Sequence, residues 1–192
     1  MKNTIKNKTI LIDIDDTIID LLPAWCDWLN KQYEININPS DIKGWDICSY
    51  IPTLTKEQIF EPLGDPLFWT YVKPKVLATT YLKKLFDEGF DIYLCSATHY
   101  KTIYPKFRTV VQKYFPFISW DKVIITSNKQ MIKADFCIDD GVHNLIGGNY
   151  RKLLITQPHN IDFNTEENGI YRVSDWLEIY SLIHSLVDKN EN

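Results

Sequence analysis

The segment Ile10-Leu11-Ile12-Asp13-Ile14-Asp15-Asp16-Thr17 constrains this chain more than any other. Its apolar residues read as a strand buried on both faces, the pattern of a parallel sheet. Three carboxylates follow at once, and crowding like charges beside a buried strand is costly unless a cation or a function compensates. Asp13 and Asp15 stand two apart, so an extended chain points both side chains the same way. In open α/β sheets, the region past the carboxyl ends of the strands is where ligands bind. An isolated Asp-x-Asp would be an ordinary acidic turn. The apolar strand leading into this one favours catalysis.

The remaining pattern tells what kind of sheet this strand joins. Pro23 is placed to open a helix that runs to about Glu34. Thr55-Lys56-Glu57-Gln58 has the form of a capping box opening a short helix to Phe60. Gly64-Asp65-Pro66 then breaks the chain. Residues 21–74 thus carry helices and loops but no convincing strand, which predicts a small helical insertion in a core made of 1–20 and 75–192. Beyond it, an amphipathic helix is expected over 76–88, with Leu77, Tyr81, Leu82, Leu85 and Phe86 on one side and Gly89 as its stop. Strands are expected at 90–95, 123–126, 136–138 and 153–156. Helices are expected at about 104–114, with Pro105 in the first turn, and from Ser174-Asp175 to about Val187. Strands alternating with helices at this spacing make a doubly wound, parallel α/β sheet.

Composition narrows the class. With 45% hydrophobic and 24% charged residues in 192, one globular domain with a small insertion is expected, neither disordered nor membrane-spanning. The stretch from Met1 to Lys8 is polar and basic, unlike a secretory signal. A net charge of −4 leaves no nucleic-acid footprint, so no stable nucleic-acid partner is expected. Cys26, Cys48, Cys95 and Cys137 form no C-x-x-C pair and read as reduced thiols of a cytoplasmic protein.

Three further groups sit where predicted strands end. Ser96 closes the second, in Cys95-Ser96-Ala97-Thr98, where a hydroxyl and the next backbone N–H, that of Ala97, can bind phosphate; a turn serine looks the same. Lys129 follows the third strand, although most lysines are merely solvated. Asp139 and Asp140 close the fourth; an Asx-type turn with Gly141 would account for one of them, but two adjacent acids after an apolar strand call for a cation. Mg²⁺ suits such a place, because it takes oxygen ligands, one or two carboxylates and a substrate phosphate.

The first stretch resembles the opening signature of the haloacid dehalogenase superfamily of phosphotransferases, a hydrophobic run followed by D-x-D-x-T. That resemblance implies that Asp13 attacks phosphorus and that Asp15 is the general acid and base. An Asp at the second position is what the superfamily's phosphatases carry, which argues against dehalogenase or phosphonatase chemistry. Asp16 stands where many members have Gly. Ser96 matches the second signature and Lys129 the third, with Lys133 as a competitor farther from the strand end. Asp139-Asp140 matches the fourth, with Asp140 the first choice as direct Mg²⁺ ligand, Asp139 in support, and Asp13 and the Asp15 carbonyl completing the protein ligands.

Within the superfamily the chain is similar to the 5'(3')-deoxyribonucleotidase family. The resemblance rests on Gly44-Trp45, on the run from Pro66 to Pro74, and on Leu94-Cys95-Ser96-Ala97, Ile125-Thr126-Ser127-Asn128-Lys129 and Ile138-Asp139-Asp140. It departs at Ser96-Ala97-Thr98, where members usually show Thr-Ser-Pro, and at Leu21, where an aromatic is common. The implied architecture is a cap, residues 21–74, over the active site, with a pyrimidine held between cap aromatics. Trp45, Phe68 and Trp69 lie near Gly and Pro breaks and are expected to be loop-exposed and to stack on the base, whereas Trp25 and Trp28 read as core. The expected activity is Mg²⁺-dependent hydrolysis of deoxynucleoside monophosphates, pyrimidine ones foremost, through an aspartyl-phosphate. Alternatives are a phosphatase for a sugar phosphate or a polynucleotide 3'-phosphate, or a non-catalytic nucleotide-binding protein. The expected partner is a small nucleotide; no membrane partner is expected, and a homodimer is left open.

Overall fold

The computed structural model describes residues 8–188, so the polar stretch that argued against a secretory signal lies, apart from Lys8, outside the described residues. Six strands form one parallel sheet: β1 (Thr9–Asp13), β2 (Asp91–Ser96), β3 (Val123–Ile125), β4 (Phe136–Asp139), β5 (Arg151–Ile155) and β6 (Ile170–Val173), in the order β3-β2-β1-β4-β5-β6. The apolar run of the sequence is the central strand. Ile12 stands opposite Leu94 on one side and Ile138 on the other, and Asp13 opposite Cys95. That register brings Asp13, Ser96 and Asp139 to the same carboxyl edge, where the strand order reverses.

The helices in chain order are α1 (Leu21–Tyr33), α2 (Lys56–Phe60), α3 (Pro66–Trp69), α4 (Ala78–Glu88), α5 (Tyr100–Lys106), α6 (Gln112–Tyr114), α7 (Val142–Leu145) and α8 (Trp176–Asp188). The capping box of α2 is present, with Thr55 Oγ1 accepting from Gln58 N at 3.3 Å and Gln58 Oε1 accepting from Thr55 N at 2.8 Å. Asp175 caps α8 by accepting from Glu178 N at 2.8 Å.

Four expectations are corrected. Helix α1 opens two residues before Pro23, because the Asp16 carboxylate accepts from Leu22 N at 3.0 and 3.2 Å and supplies the cap from outside the helix. Helix α4 starts at Ala78; Leu77 sits before it in the left-handed region (φ 64°) and, like Phe86, is exposed, so Leu82 and Leu85 carry the buried face. Helix α5 begins at Tyr100, capped by His99, which moves Pro105 into its last turn. Pro105 has no N–H to give the Lys101 carbonyl, and the chain continues as a π-helical turn, Phe107–Val111, into α6. The sixth strand, Ile-Tyr-Arg-Val, was not expected: it is a short edge strand whose central Tyr171 faces solvent, so it lacks an unbroken apolar run.

Residues 21–74 contain helices and turns and no strand. The segment enters and leaves side by side, with Ile19 bridged antiparallel to Pro74 and Lys75 Nζ paired with Asp20 at 2.8 Å. Ile42, Ile47, Ile51, Ile59 and Trp69 belong to the same buried cluster as Ile10, Ile12, Leu94 and Ile138. The insertion is thus packed continuously on the sheet's apolar layer. Among the described residues no helix is long and apolar enough to cross a membrane.

Candidate active site

A cleft of about 740 Å³ opens over the carboxyl edge of β1, β2 and β4. Its floor holds Asp13, Asp15, Asp16 and Asp140, and its walls include Trp25, Trp45, Ile47, Phe60, Leu63 and Trp69 from the insertion. The strand edge therefore supplies charge, and the insertion supplies apolar and aromatic surface.

Asp13 is buried at the end of β1 and paired with Lys129 Nζ, whose second partner is Asp139 Oδ2 at 2.6 Å. Lys129 is 0% exposed, so neither of its ion pairs is screened by water. Burial alone would depress its ammonium, but Asp13 and Asp139 outweigh burial and hold it well above its ordinary range. Burial pushes the Asp13 carboxyl well above the usual carboxylate range; Lys129 opposes this, and Asp139 and Asp140 reinforce it. Lys133, the competing lysine, is exposed.

Asp139 is fully engaged by protein donors. Beyond Lys129, its Oδ1 accepts from Gly141 N at 2.8 Å and from Asn144 Nδ2 at 2.9 Å. Asp140 is held more lightly, by the Thr17 hydroxyl at 3.4 Å on Oδ1 and by His159 Nε2 at 3.1 Å from Oδ2. Oxygens of Asp13, Asp139 and Asp140 lie within 4.8 Å of one another, a grouping able to hold a metal ion. Asp16 turns the chain with φ 53°, a left-handed conformation that Gly takes freely and Asp tolerates better than most residues. That explains why Asp can stand there. Burial and the nearby Asp140 push its carboxyl up to about 7.

Asp15 has a different companion. Lys106, 1% exposed, places Nζ 2.5 Å from Asp15 Oδ2, 3.3 Å from Ser96 Oγ and 3.5 Å from Thr98 Oγ1. The same ammonium lies 5.3 Å from the centroid of the Trp69 ring. Asp15 Oδ1 is buried and accepts nothing from the described residues. Lys106 is one of the residues that sequence reasoning missed. It stands beside Pro105, where the helix gives way to a π turn, a distortion frequent at functional sites that no pattern in the sequence announced.

The aromatic expectations divide. Trp45 is 61% exposed at the rim, edge-on to His143 and His159 with centroids 4.4 and 5.4 Å away. Phe68, expected to be loop-exposed and to stack on a base, is corrected: it is 0% exposed in α3 and packs against Trp28 and Trp69, because the Asp65 cap and Pro66 start a helical turn there instead of a loop. Trp69 is also buried, its indole N–H donating to Leu63 O at 2.9 Å, yet it lines the cleft. Trp25 is buried with its N–H on Ile59 O at 2.7 Å, and it too lines the cleft. Ser96 is buried at the strand end, and Ala97 borders the cleft.

The fold resembles that of known hydrolases. Solved structures with the same fold include a haloacid dehalogenase family hydrolase from Deinococcus radiodurans with bound phosphate and sodium, at TM-score 0.65 and 13% identity over 94% of this chain and 96% of that one. Another is a hydrolase of that type from Bacillus subtilis bound to magnesium, at TM-score 0.60 and 18% identity over 93% of this chain and 99% of that one. Sequence relatives are nearer: a 5'(3')-deoxyribonucleotidase of Clostridium acetobutylicum is 37% identical over 180 residues, covering 94% of this chain and 97% of that protein. A 5'(3')-deoxyribonucleotidase of Bacillus subtilis is 33% identical over 176 residues, 90% of this chain and 96% of that protein. Residues 7–191 match the family described as 5' nucleotidase, deoxy (pyrimidine), cytosolic type C protein. With that match over nearly its whole length, on a haloacid dehalogenase fold, the chain belongs to the 5'(3')-deoxyribonucleotidase family of phosphoric monoester hydrolases.

Proposed function

We propose that this chain is a Mg²⁺-dependent hydrolase of deoxynucleoside monophosphates, pyrimidine ones foremost, acting through an aspartyl-phosphate, the acyl phosphate of Asp13. The observation that carries the reading is the pair of buried lysines, Lys129 on Asp13 and Lys106 on Asp15, beneath a cleft walled by insertion aromatics.

The donor set fits Mg²⁺. Every candidate ligand is an oxygen, and five carboxylates (Asp13, Asp15, Asp16, Asp139, Asp140) face only two buried lysines, leaving negative charge for a divalent ion to balance. Asp13, Asp140 and the Asp15 carbonyl would hold it. Asp139 already spends both oxygens on Lys129, Gly141 and Asn144, which suits it to support. A bound ion would draw charge from the phosphate oxygens as they crowd against Asp13.

The chain's own groups carry the rest. A carboxylate oxygen of Asp13 forms a bond to phosphorus while the ester bond to the deoxyribose oxygen breaks, and Asp15 gives that oxygen its proton. Asp15 then takes a proton from water, which attacks phosphorus and releases phosphate from Asp13. Lys106 holds Oδ2 of Asp15 and so fixes the side chain's place beside the cleft. Ser96, the Ala97 N–H and Lys129 would bear on the phosphate oxygens. Residues 21–74 act as a cap that excludes water from the acyl-phosphate, and Trp45 and Trp69 offer ring surface to the base.

The test is phosphate release from a panel of deoxy- and ribonucleoside monophosphates, sugar phosphates and a 3'-phosphorylated oligonucleotide. Deoxynucleotides should lead the panel, activity should vanish with EDTA, return with Mg²⁺ and fail with Ca²⁺, whose looser coordination spoils in-line geometry. A preference for sugar phosphates would overturn the substrate, and EDTA-resistant turnover would overturn the metal.

A further inference from the structure

Sequence reasoning assigned nothing to the loop after β5, yet three of its residues reach the acidic edge. Gln157 Nε2 donates to the backbone carbonyl of Asp16 at 2.9 Å. His159 Nε2 lies 3.1 Å from Asp140 Oδ2 and 3.2 Å from the Asp140 carbonyl. Asn160 Nδ2 donates to that same carbonyl and to Ile155 O, both at 2.9 Å. The loop therefore ties the turn after β1 to the turn after β4. It is braced from behind: Arg172 of β6 donates to Asn160 Oδ1 at 3.1 Å, Asn160 O at 3.0 Å and Phe163 O at 2.8 Å. Asn160, 3% exposed, is locked on every side.

The chemistry of His159 is set by its partners. A carboxylate oxygen and a carbonyl oxygen can only accept, so Nε2 must carry the proton. A donor on Oδ2 fixes the plane of the Asp140 carboxylate and leaves Oδ1 to the lighter contact with the Thr17 hydroxyl. Hydrogen-bond partners of this kind orient ligating carboxylates, and their loss typically costs about 10–100-fold in metal affinity. We infer that His159 is a positioning residue for Asp140, held by the Gln157–Asn160 loop and Arg172, and that it sets the affinity of the acidic edge for a divalent cation. The inference rests on the reading of Asp140 as a metal ligand. Trp45 of the insertion packs edge-on to His159, so the ring also has a packing role that must be separated from the hydrogen bond.

Two variants make that separation. His159→Phe keeps a ring against Trp45 and removes the donor; His159→Gln loses the ring and keeps an N–H near the Nε2 position. Divalent-ion binding is read directly from the electron paramagnetic resonance of free Mn²⁺, an octahedral oxygen-seeking stand-in for Mg²⁺, without substrate, on protein whose metal-free thermal midpoint is recorded in parallel. The expected result is a dissociation constant raised about tenfold or more in His159→Phe and within about threefold of wild type in His159→Gln, with the Mg²⁺ concentration for half-maximal activity moving alike. Wild-type affinity in His159→Phe would overturn the inference. So would equal weakening in both variants, or weakening in His159→Gln alone, since each of these makes the ring a packing element. Asp140→Ala distinguishes the underlying reading: if it too binds Mn²⁺ as wild type does, the ligand assignment has failed, whereas loss there with retention in His159→Phe defeats the positioning role alone.

Discussion

The floor of the cleft and its wall are built by different rules. On the floor, Asp13, Ser96 and Asp139 end three neighbouring parallel strands, so hydrogen-bond register alone sets their spacing. On the wall, Lys106, Trp25, Trp45 and Trp69 come from helices and turns whose places depend on packing. The two lysines show the contrast. Lys129 follows a strand by a few residues and is clamped between two carboxylates with no exposure. Lys106 enters from the end of a helix and meets one carboxylate, Asp15, whose side chain is 29% exposed. On the proposed reading, the carboxylates of the chemistry stand at strand ends fixed by register, while the aromatic surface offered to the base, and Lys106, depend on the packing of helices and turns.

That contrast can be broken at four points, taken from the largest expected effect downward. Asp13→Asn should lower kcat by at least roughly 10⁴-fold while leaving the thermal midpoint equal to or above wild type, since it removes one of several crowded negative charges. A variant with substantial turnover would remove the floor from the chemistry. Lys129→Met leaves Asp13 and Asp139 buried without their shared cation, and breaking such a buried pair costs about 3–5 kcal/mol; urea denaturation without metal should show that loss, and added Mg²⁺ should recover part of it. Lys106→Met should cost less stability, because Asp15 is partly exposed. Its kcat for dUMP should fall by roughly 10²-fold, within the range for general acid catalysis. Its kcat for p-nitrophenyl phosphate, whose leaving group needs little protonation, should fall much less. Equal stability losses in the two lysine variants would erase the distinction between floor and wall. Trp45→Ala, at the rim, should raise KM for nucleotides by roughly tenfold, about 1.4 kcal/mol, and barely alter p-nitrophenyl phosphate hydrolysis. Matching losses on both substrates would make Trp45 a structural prop for His143 and His159 instead of a base contact.

The difference also explains what the sequence made legible. The strand ends were readable because an apolar run followed by acids has few places to sit in a parallel sheet, and Asp13, Asp15, Ser96, Lys129, Asp139 and Asp140 all came together at one edge. Phe68 was misread because Gly64 and Pro66 looked like a loop, whereas Pro66 is well suited to the first turn of a short helix that buries the ring. Lys106 was invisible because no periodicity points a helical lysine inward; the path depends on Pro105 and the π turn. His159 and Asn160 were invisible for a related reason: a polar loop carries no pattern that tells which carbonyl it will cap. The edge strand β6, which braces that loop through Arg172, was too short and too polar to stand out.

The central claim is that Asp13 takes the phosphoryl group before water does. The stereochemical course at phosphorus tests it most directly, using deoxyuridine monophosphate made chiral with sulfur and oxygen isotopes and hydrolysed in isotopically labelled water with Mg²⁺. Each in-line displacement inverts phosphorus, so two successive displacements, first onto Asp13 and then onto water, should give net retention. Net inversion in the released thiophosphate would contradict the claim, because water would then have attacked the substrate in a single step.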